Sequence, residues 1–393
     1  MKKINNYLCD FPTLKNNDIA YFDYSATTFM PNIVFDKWNQ SNIYCGVSIG
    51  RGNNVLTKRA KQQLEEAEKI FHNFFGLPNE YDLIYTKNVT ESINLVSISL
   101  KNELNPLDII LVGPYEHHSN YLPWRKLAQE TGAMFFEIPM LKNDELDYEF
   151  IKKYKDRIKI ISISSVANTN GYYIDVNKIS NIINDDTYFL VDQSQLTAHK
   201  KIISNKKIGV HFISSHKMYG PKNISLIAVK TSIIEKMEPV ILGGGMVENV
   251  GYETKWNNGR MKFFSGTIDI SLIAAFAEAC KYINKVTYEK IAEEDKINSE
   301  IIKKCLLNNG YKIINSNNSV NYIISFYHKD IHPHDINEYL SQKNIIIRSG
   351  NICSQNSLRK LNINAINRIS LGIGITKENL EKLCNELGAI VNE

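Results

Sequence analysis

Between about residue 55 and residue 230, helix-patterned segments alternate with short apolar runs, and few architectures can absorb that alternation. Leu64, Ala67, Ile70, Phe71 and Phe74 recur at the three-to-four spacing of one helix face. The apolar runs are Asp108-Ile-Ile-Leu-Val, Lys159-Ile-Ile-Ser-Ile-Ser, Tyr188-Phe-Leu-Val-Asp, Val210-His-Phe-Ile-Ser and Ser225-Leu-Ile-Ala-Val. Each is short, rich in β-branched residues and closed by polar or turn residues. Runs of this kind are strands covered on both faces, and the intervening helices supply the cover: the pattern predicts a parallel α/β sheet.

Polar clusters follow several of these runs directly: Glu116-His-His-Ser-Asn, Val166-Ala-Asn-Thr-Asn-Gly, Asp192-Gln-Ser-Gln and Ser214-Ser-His-Lys. In open α/β sheets ligands bind in the crevice beyond the carboxyl ends of the strands. The expected site therefore lies along that edge.

The texture changes after Gly243-Gly-Gly and Phe264-Ser-Gly-Thr. A long helical pattern starts near Ile270, followed by strand-like Asn321-Tyr-Ile-Ile-Ser-Phe and Asn344-Ile-Ile-Ile-Arg. A last helix after Thr376 carries one stripe of Leu380, Leu383, Cys384 and Leu387. With 393 residues, about two domains are expected. The division reads as a large domain over 16–269 and a smaller α+β domain over 270–393, joined by an N-terminal arm, 1–15.

Charge narrows the function classes. The 46 basic and 42 acidic residues are spread along the chain, without the dense basic patch of a nucleic-acid binder. No apolar stretch approaches a membrane span, and no apolar run follows the basic start as a signal peptide requires. The six cysteines have no CxxC spacing and fit free thiols in a reducing compartment, so the expected location is cytoplasmic. No glycine-rich nucleotide loop is present. His117 and His118 are adjacent, point apart in an extended chain and lack a second ligand cluster, so no metal site is expected.

Four residues invite chemistry. Most lysines are surface groups, but Lys217 ends a strand-like run beside a hydroxyl and an imidazole. A lysine enclosed in a crevice can lose its charge and form a Schiff base with an aldehyde cofactor. Asp192, alone, reads as a cap or turn residue. Paired with such a lysine one helix-and-strand unit later, it suits the ring nitrogen of pyridoxal phosphate, which needs a carboxylate to stay protonated. One histidine of the pair His117 and His118 suits stacking on a flat ring. Cys353 lies in the polar, glycine-containing loop Arg348-Ser-Gly-Asn-Ile-Cys353-Ser-Gln-Asn, where a reactive thiolate can be exposed.

Taken in order, from Tyr21-Phe-Asp-Tyr-Ser-Ala-Thr-Thr to Arg368-Ile-Ser-Leu, these clusters resemble the class V aminotransferase family of fold type I pyridoxal-phosphate enzymes. Within it the chain looks most like the cysteine desulfurases of the SufS/CsdA type. The resemblance implies a large domain with a mainly parallel seven-stranded sheet and a smaller C-terminal α+β domain. It implies that Lys217 holds the cofactor as a Schiff base, Asp192 pairs with the ring nitrogen and His117 stacks on the ring. Asn168 and Gln195 would bond the ring oxygen. Thr90, Ser214 and His216 would hold the phosphate, with Thr267 reaching across from a partner subunit of a homodimer. Arg368 would take the substrate carboxylate, with Arg348 nearby. L-Cysteine would become L-alanine while Cys353 takes the sulfur as a persulfide, for delivery to a sulfur-acceptor protein.

The chain departs from the family pattern at several positions. The phosphate loop reads Thr86-Lys-Asn-Val-Thr-Glu, so Asn88 stands for glycine and Val89 for a hydroxyl residue. Ile352 replaces the histidine before the cysteine, Ser354-Gln-Asn replaces Ala-x-Pro, and Gly374-Ile-Thr replaces an aromatic-Asn-Thr ending. These changes keep a second reading in play: a C–S lyase, epimerase or aminotransferase of the same family, with a specialised amino-acid substrate and an incidental Cys353. A third reading, a noncatalytic partner in a sulfur-transfer assembly, is opposed by the joint retention of Lys217, Asp192, His117 and Asn168.

Overall fold

The computed structural model describes residues 7–49, 52–203 and 205–392. Positions 1–6 of the expected N-terminal arm thus lie outside the described residues. The arrangement is α/β, built on a seven-stranded sheet. Its strands are β1 (Tyr81–Thr86), β2 (Ile109–Val112), β3 (Met134–Glu137), β4 (Ile158–Ser164), β5 (Tyr188–Asp192), β6 (Ile208–Ser214) and β7 (Ser225–Lys230). They lie in the order β1-β7-β6-β5-β4-β2-β3. Strands β2 to β6 pair in parallel, whereas β7 runs antiparallel to both β6 and β1. The sheet is thus mainly parallel, as expected, with the Ser225 run as its antiparallel member. A central antiparallel strand is as covered on both faces as a parallel one, so its composition carries no direction.

Helices clothe the sheet. The first long ones are α1 (Asn32–Cys45), α2 (Val55–Phe75), α3 (Val89–Ser99) and α4 (Leu122–Thr131). In α2 the expected stripe is realised: Leu64, Ala67, Phe71 and Phe74 are buried. Each large apolar side chain so placed contributes about 1.5–3 kcal/mol. Asn54 caps the start by accepting from the Thr57 N–H at 2.9 Å. Gly76 ends the helix at φ 63°, a left-handed cap for which a side chain has room but not the backbone preference.

The C-terminal part begins with α5 (Ile270–Val286), capped by Asp269, and α6 (Tyr288–Asn308). A four-stranded sheet follows, made of β8 (Lys312–Ile313), β9 (Ile323–Tyr327), β10 (Arg348–Gly350) and β11 (Ile366–Ser370) in the order β8-β9-β11-β10. All its pairings are antiparallel. Helices α7 (Pro333–Gln342) and α8 (Lys377–Asn392) pack beside it, and Leu380, Leu383 and Leu387 of α8 are buried while Cys384 is half-buried. The Asn344 run does not form one strand. Ile345–Ile346 pairs in parallel with Ala20–Tyr21, and the chain then shifts to form β10.

We propose residue 270 as the domain boundary, with α5 as the joint, because α5 packs on α1 and α2 while it leads into the second sheet. The segment after Tyr21 ties the Ala20–Tyr21/Ile345–Ile346 pair to the four-stranded sheet: Phe22 N–H donates to Ile346 O at 2.8 Å and Ser370 N–H donates to Phe22 O at 2.7 Å. No helix among the described residues is long and apolar enough to cross a membrane.

Candidate active site

Strands β2, β4, β5 and β6 are parallel, so the polar clusters that follow them emerge at one edge of the sheet. There they enclose a cavity of about 420 Å³. Lys217, Asp192, Gln195, Asn168, His117, Thr90, Ser214, His216, Arg368, Arg348 and Cys353 all line it. Thr267 does not: it is exposed and lies off this cavity, so within one chain it joins none of the others.

Lys217 sits in a single 3₁₀ turn, Ser215–Lys217, at the end of β6. The N-terminal segment clamps that turn. Thr28 donates to His216 O through its N–H at 2.8 Å and through Oγ1 at 3.0 Å, and its Oγ1 accepts from the Tyr219 N–H at 2.7 Å. Gly220 lets the chain double back, since a Cβ there would stand 2.1 Å from Ser215 Oγ. Burial holds the Lys217 amine below its ordinary pKa, while Asp192 opposes the shift. An amine so placed needs little driving to serve as a neutral nucleophile or base.

The other groups are equally fixed. Asp192 Oδ1 accepts from the Ser194 N–H at 2.8 Å, which fixes the buried carboxylate in the cavity wall. Asn168 Nδ2 donates to Ile352 O at 2.9 Å and Gln195 Nε2 to Ser25 O at 3.0 Å. Each amide thus has its plane set and keeps its second N–H for a ligand. Burial, then the Lys217 charge, pushes the His117 pKa down to about 3, so the ring is neutral. Its Nδ1 accepts from the Ser119 N–H at 3.1 Å, which places the proton on Nε2. Burial likewise pushes the His216 pKa down to about 4. Thr90 stands in the first turn of α3, whose cap Asn88 accepts from the Glu91 N–H at 2.9 Å. Asn88 and Val89, the departures from the family loop, thus still give an intact helix start whose leading N–H groups suit an anion.

Arg368 is buried. Its Nη2 donates to Asp23 Oδ1 at 2.7 Å and its Nη1 to Asn168 O at 3.0 Å, while Nε has no partner. Arg348, half-exposed, donates from Nε to Asp23 Oδ2 at 3.2 Å. Asp23 therefore orients both arginines, and no role for it was legible before its partners were in place. Glu116 is a second such residue. Its carboxyl accepts from Ser164 N–H at 2.7 Å and from Asn120 Nδ2 at 2.7 Å beneath the cavity, and burial pushes its pKa up to about 7.

Cys353 is exposed at the rim. It also lines a second, outward groove of about 720 Å³ with His118, Leu122 and Lys126. Ile352 and Cys353 have φ of 50° and 52°. Two consecutive non-glycine residues in the left-handed region cost about 1–3 kcal/mol each, so the surroundings must hold this loop.

The donor set fits pyridoxal phosphate. It offers a buried amine for the aldehyde, a carboxylate for the ring nitrogen, a flat neutral ring and a helix start with hydroxyls for the phosphate. The buried Asn168 and Arg368, which line the cavity, each leave one polar side-chain atom, Oδ1 and Nε, without a protein partner.

The family profile of aminotransferase class V matches residues 20–383. The chain belongs to the class V aminotransferase family. Its cofactor is accordingly pyridoxal phosphate, and its fold is that of the fold type I enzymes. Among curated class V relatives, the probable cysteine desulfurase of Staphylococcus aureus (strain N315) is 30% identical over 399 residues, covering 98% of this chain and 96% of that one. The probable cysteine desulfurase of Pyrococcus abyssi is 28% identical, covering 95% and 94%. The apo cysteine desulfurase of Thermococcus onnurineus NA1 superposes with a TM-score of 0.91 at 26% identity, over 100% of this chain and 99% of that one. The cysteine desulfurase CsdA of Escherichia coli gives 0.88 at 23% identity over 98% of each, a likeness of fold.

Proposed function

We propose that this class V enzyme is a cysteine desulfurase that converts L-cysteine to L-alanine and carries the sulfur as a persulfide on Cys353. The single observation that supports it most is the position of Cys353, which lines both the cavity of Lys217 and the outward groove. One sulfur atom can be loaded from inside and unloaded outside.

When bound, pyridoxal phosphate supplies an electron sink for a carbanion at the substrate α-carbon. Lys217, a desolvated amine, removes and returns the α-proton. Asp192 would keep the ring nitrogen protonated, and neutral His117 would stack on the ring. Asn168 and Gln195 direct amide donors at the ring oxygen. Thr90, Ser214 and His216 suit the phosphate. Arg368 lines the cavity as the guanidinium for the substrate carboxylate, with Arg348 beside it.

Cys353, as thiolate, attacks the substrate sulfur. A sulfur–sulfur bond forms and the Cβ–sulfur bond breaks; its electron pair goes to the substrate carbons, which take up a proton to become alanine. The persulfide then passes to an acceptor thiol on a sulfur-acceptor protein. Thr267 belongs to the phosphate site of the partner subunit in a homodimer, and the reaction belongs to the cytoplasm, where thiols stay reduced.

The test is to incubate holoenzyme with L-cysteine and a reductant, measuring sulfide and alanine for wild type and Cys353→Ala. Equal sulfide and alanine, lost in the variant, support the reading. Pyruvate in place of alanine, or turnover indifferent to Cys353, would instead mark a lyase.

A further inference from the structure

The loop that carries Cys353 departs from its family pattern at Ile352 and at Ser354-Gln-Asn, and it is strained at two adjacent residues. Strain of this sort persists only where neighbours over-determine the backbone. Asn168 holds Ile352 O, and the other ties come from one short segment, Glu116–His118, which also carries His117. His118 N–H donates to Cys353 O at 2.9 Å. Gln355 N–H donates back to His118 Nε2 at 3.2 Å. Ser354 Oγ donates to Glu116 O at 2.9 Å. The bonds fall on three consecutive residues, Cys353 accepting and Ser354 and Gln355 donating, so the loop cannot slide without losing them together.

Resting on the desulfurase reading, we propose that His118 and Ser354 are positioning residues, which hold the strained Cys353 loop closed over the cavity and in register with His117. Ser354 is fully buried and stands where the family carries alanine, so its tie to Glu116 is this chain's own. His118 acts through Nε2 as an acceptor, which requires the neutral ring with its proton on Nδ1; partial burial, by lowering its pKa, favours that form. Neither side chain touches reacting atoms. Their effect is on where Cys353 rests, and a misplaced nucleophile loses rate without loss of substrate binding.

The experiment compares wild-type holoenzyme with His118→Ala, His118→Gln and Ser354→Ala. Glutamine places an oxygen near the position of Nε2 and restores the acceptor without the imidazole. Hydrogen exchange of peptides spanning 350–358 reads the clamp without reference to activity. Exchange at Gln355 should quicken about tenfold in His118→Ala, as expected for loss of one hydrogen bond, and return toward wild type in His118→Gln. In a single turnover with L-cysteine, persulfide on Cys353 should form about five- to tenfold more slowly in His118→Ala and Ser354→Ala, on the same energetic scale. The cysteine-induced spectral change of the cofactor, and KM, should stay within twofold of wild type. Equal exchange in wild type and His118→Ala, or no rescue by glutamine, overturns the inference. A wild-type enzyme that forms no persulfide, yet shows the exchange difference, overturns the desulfurase reading and leaves the clamp standing.

Discussion

Arg368 and Asp23 form a buried ion pair, Nη2 to Oδ1 at 2.7 Å, across 345 residues of sequence. The pair joins the last strand of the small sheet to the N-terminal segment that clamps the Lys217 turn. Removing one partner of a buried pair leaves the other charge desolvated and uncompensated, which typically costs about 3–5 kcal/mol. Asp23→Ala should therefore lower the unfolding free energy by about 3 kcal/mol, the low end because half-exposed Arg348 can shift and Arg368 keeps its bond to Asn168 O. Urea unfolding at neutral pH measures this. A loss within about 0.5 kcal/mol, the scale of an exposed pair, would mean that the pair is not structurally important.

Among the described residues, Lys217 is the only lysine lining the cavity. Its substitution by alanine should leave the fold intact, since the turn is held by Thr28 bonding to backbone groups at 216 and 219 and not by the amine. Lys217→Ala should lose covalently held cofactor on dialysis, together with its visible absorbance, and at least about a thousandfold in turnover, the range for removing a catalytic base. Absorbance that survives dialysis unchanged would assign the covalent role to another amine.

How much of this was legible beforehand follows from burial. Strands β2, β4, β5 and β6 were readable because both their faces are covered, which makes them uninterrupted apolar runs. Strands β1 and β3 escaped notice: they are the two edges of the sheet, and Met134–Glu137 is only half-buried throughout. The direction of β7 is fixed by its connection to β6, through the Lys217 turn, and not by its composition. At the site, residues that follow strands announced themselves through the strand signal. Asp23, Thr28 and Glu116 act by bonding to groups distant in sequence, and no local pattern encodes such partners.

Thr267 tests the assembly. It is exposed in the single chain and lies off the cavity, whereas its proposed partner is a phosphate in the second subunit. Dilution of holoenzyme into the monomer range should release pyridoxal phosphate, and Thr267→Ala should weaken cofactor retention by about fivefold, the loss of one hydrogen bond to a charged group. Sedimentation followed at protein and cofactor wavelengths reports both. A monomer that sediments with its cofactor would remove the shared site.

Acid should destabilise the fold through histidines buried in neutral form. Burial pushes His117 and His211 down to about 3 and His216 down to about 4. Because these folded values lie below the ordinary value near 6.5, the sign is fixed. Their contribution is whole above pH about 6.5 and is lost as pH falls toward the folded values, at about 1.4 kcal/mol per pH unit for each histidine. His211 isolates the effect, for it lies off the catalytic cavity, where its Nδ1 meets Gln193 Nε2 at 3.2 Å. Asparagine can keep that acceptor and does not titrate. Unfolding free energies from urea titrations between pH 6.5 and 4.5 should fall less steeply in His211→Asn than in wild type, by about 1.4 kcal/mol per unit, whatever the variant's stability at neutral pH. Parallel slopes would mean that His211 takes up its proton without unfolding, and that the acid sensitivity resides at the cofactor cavity.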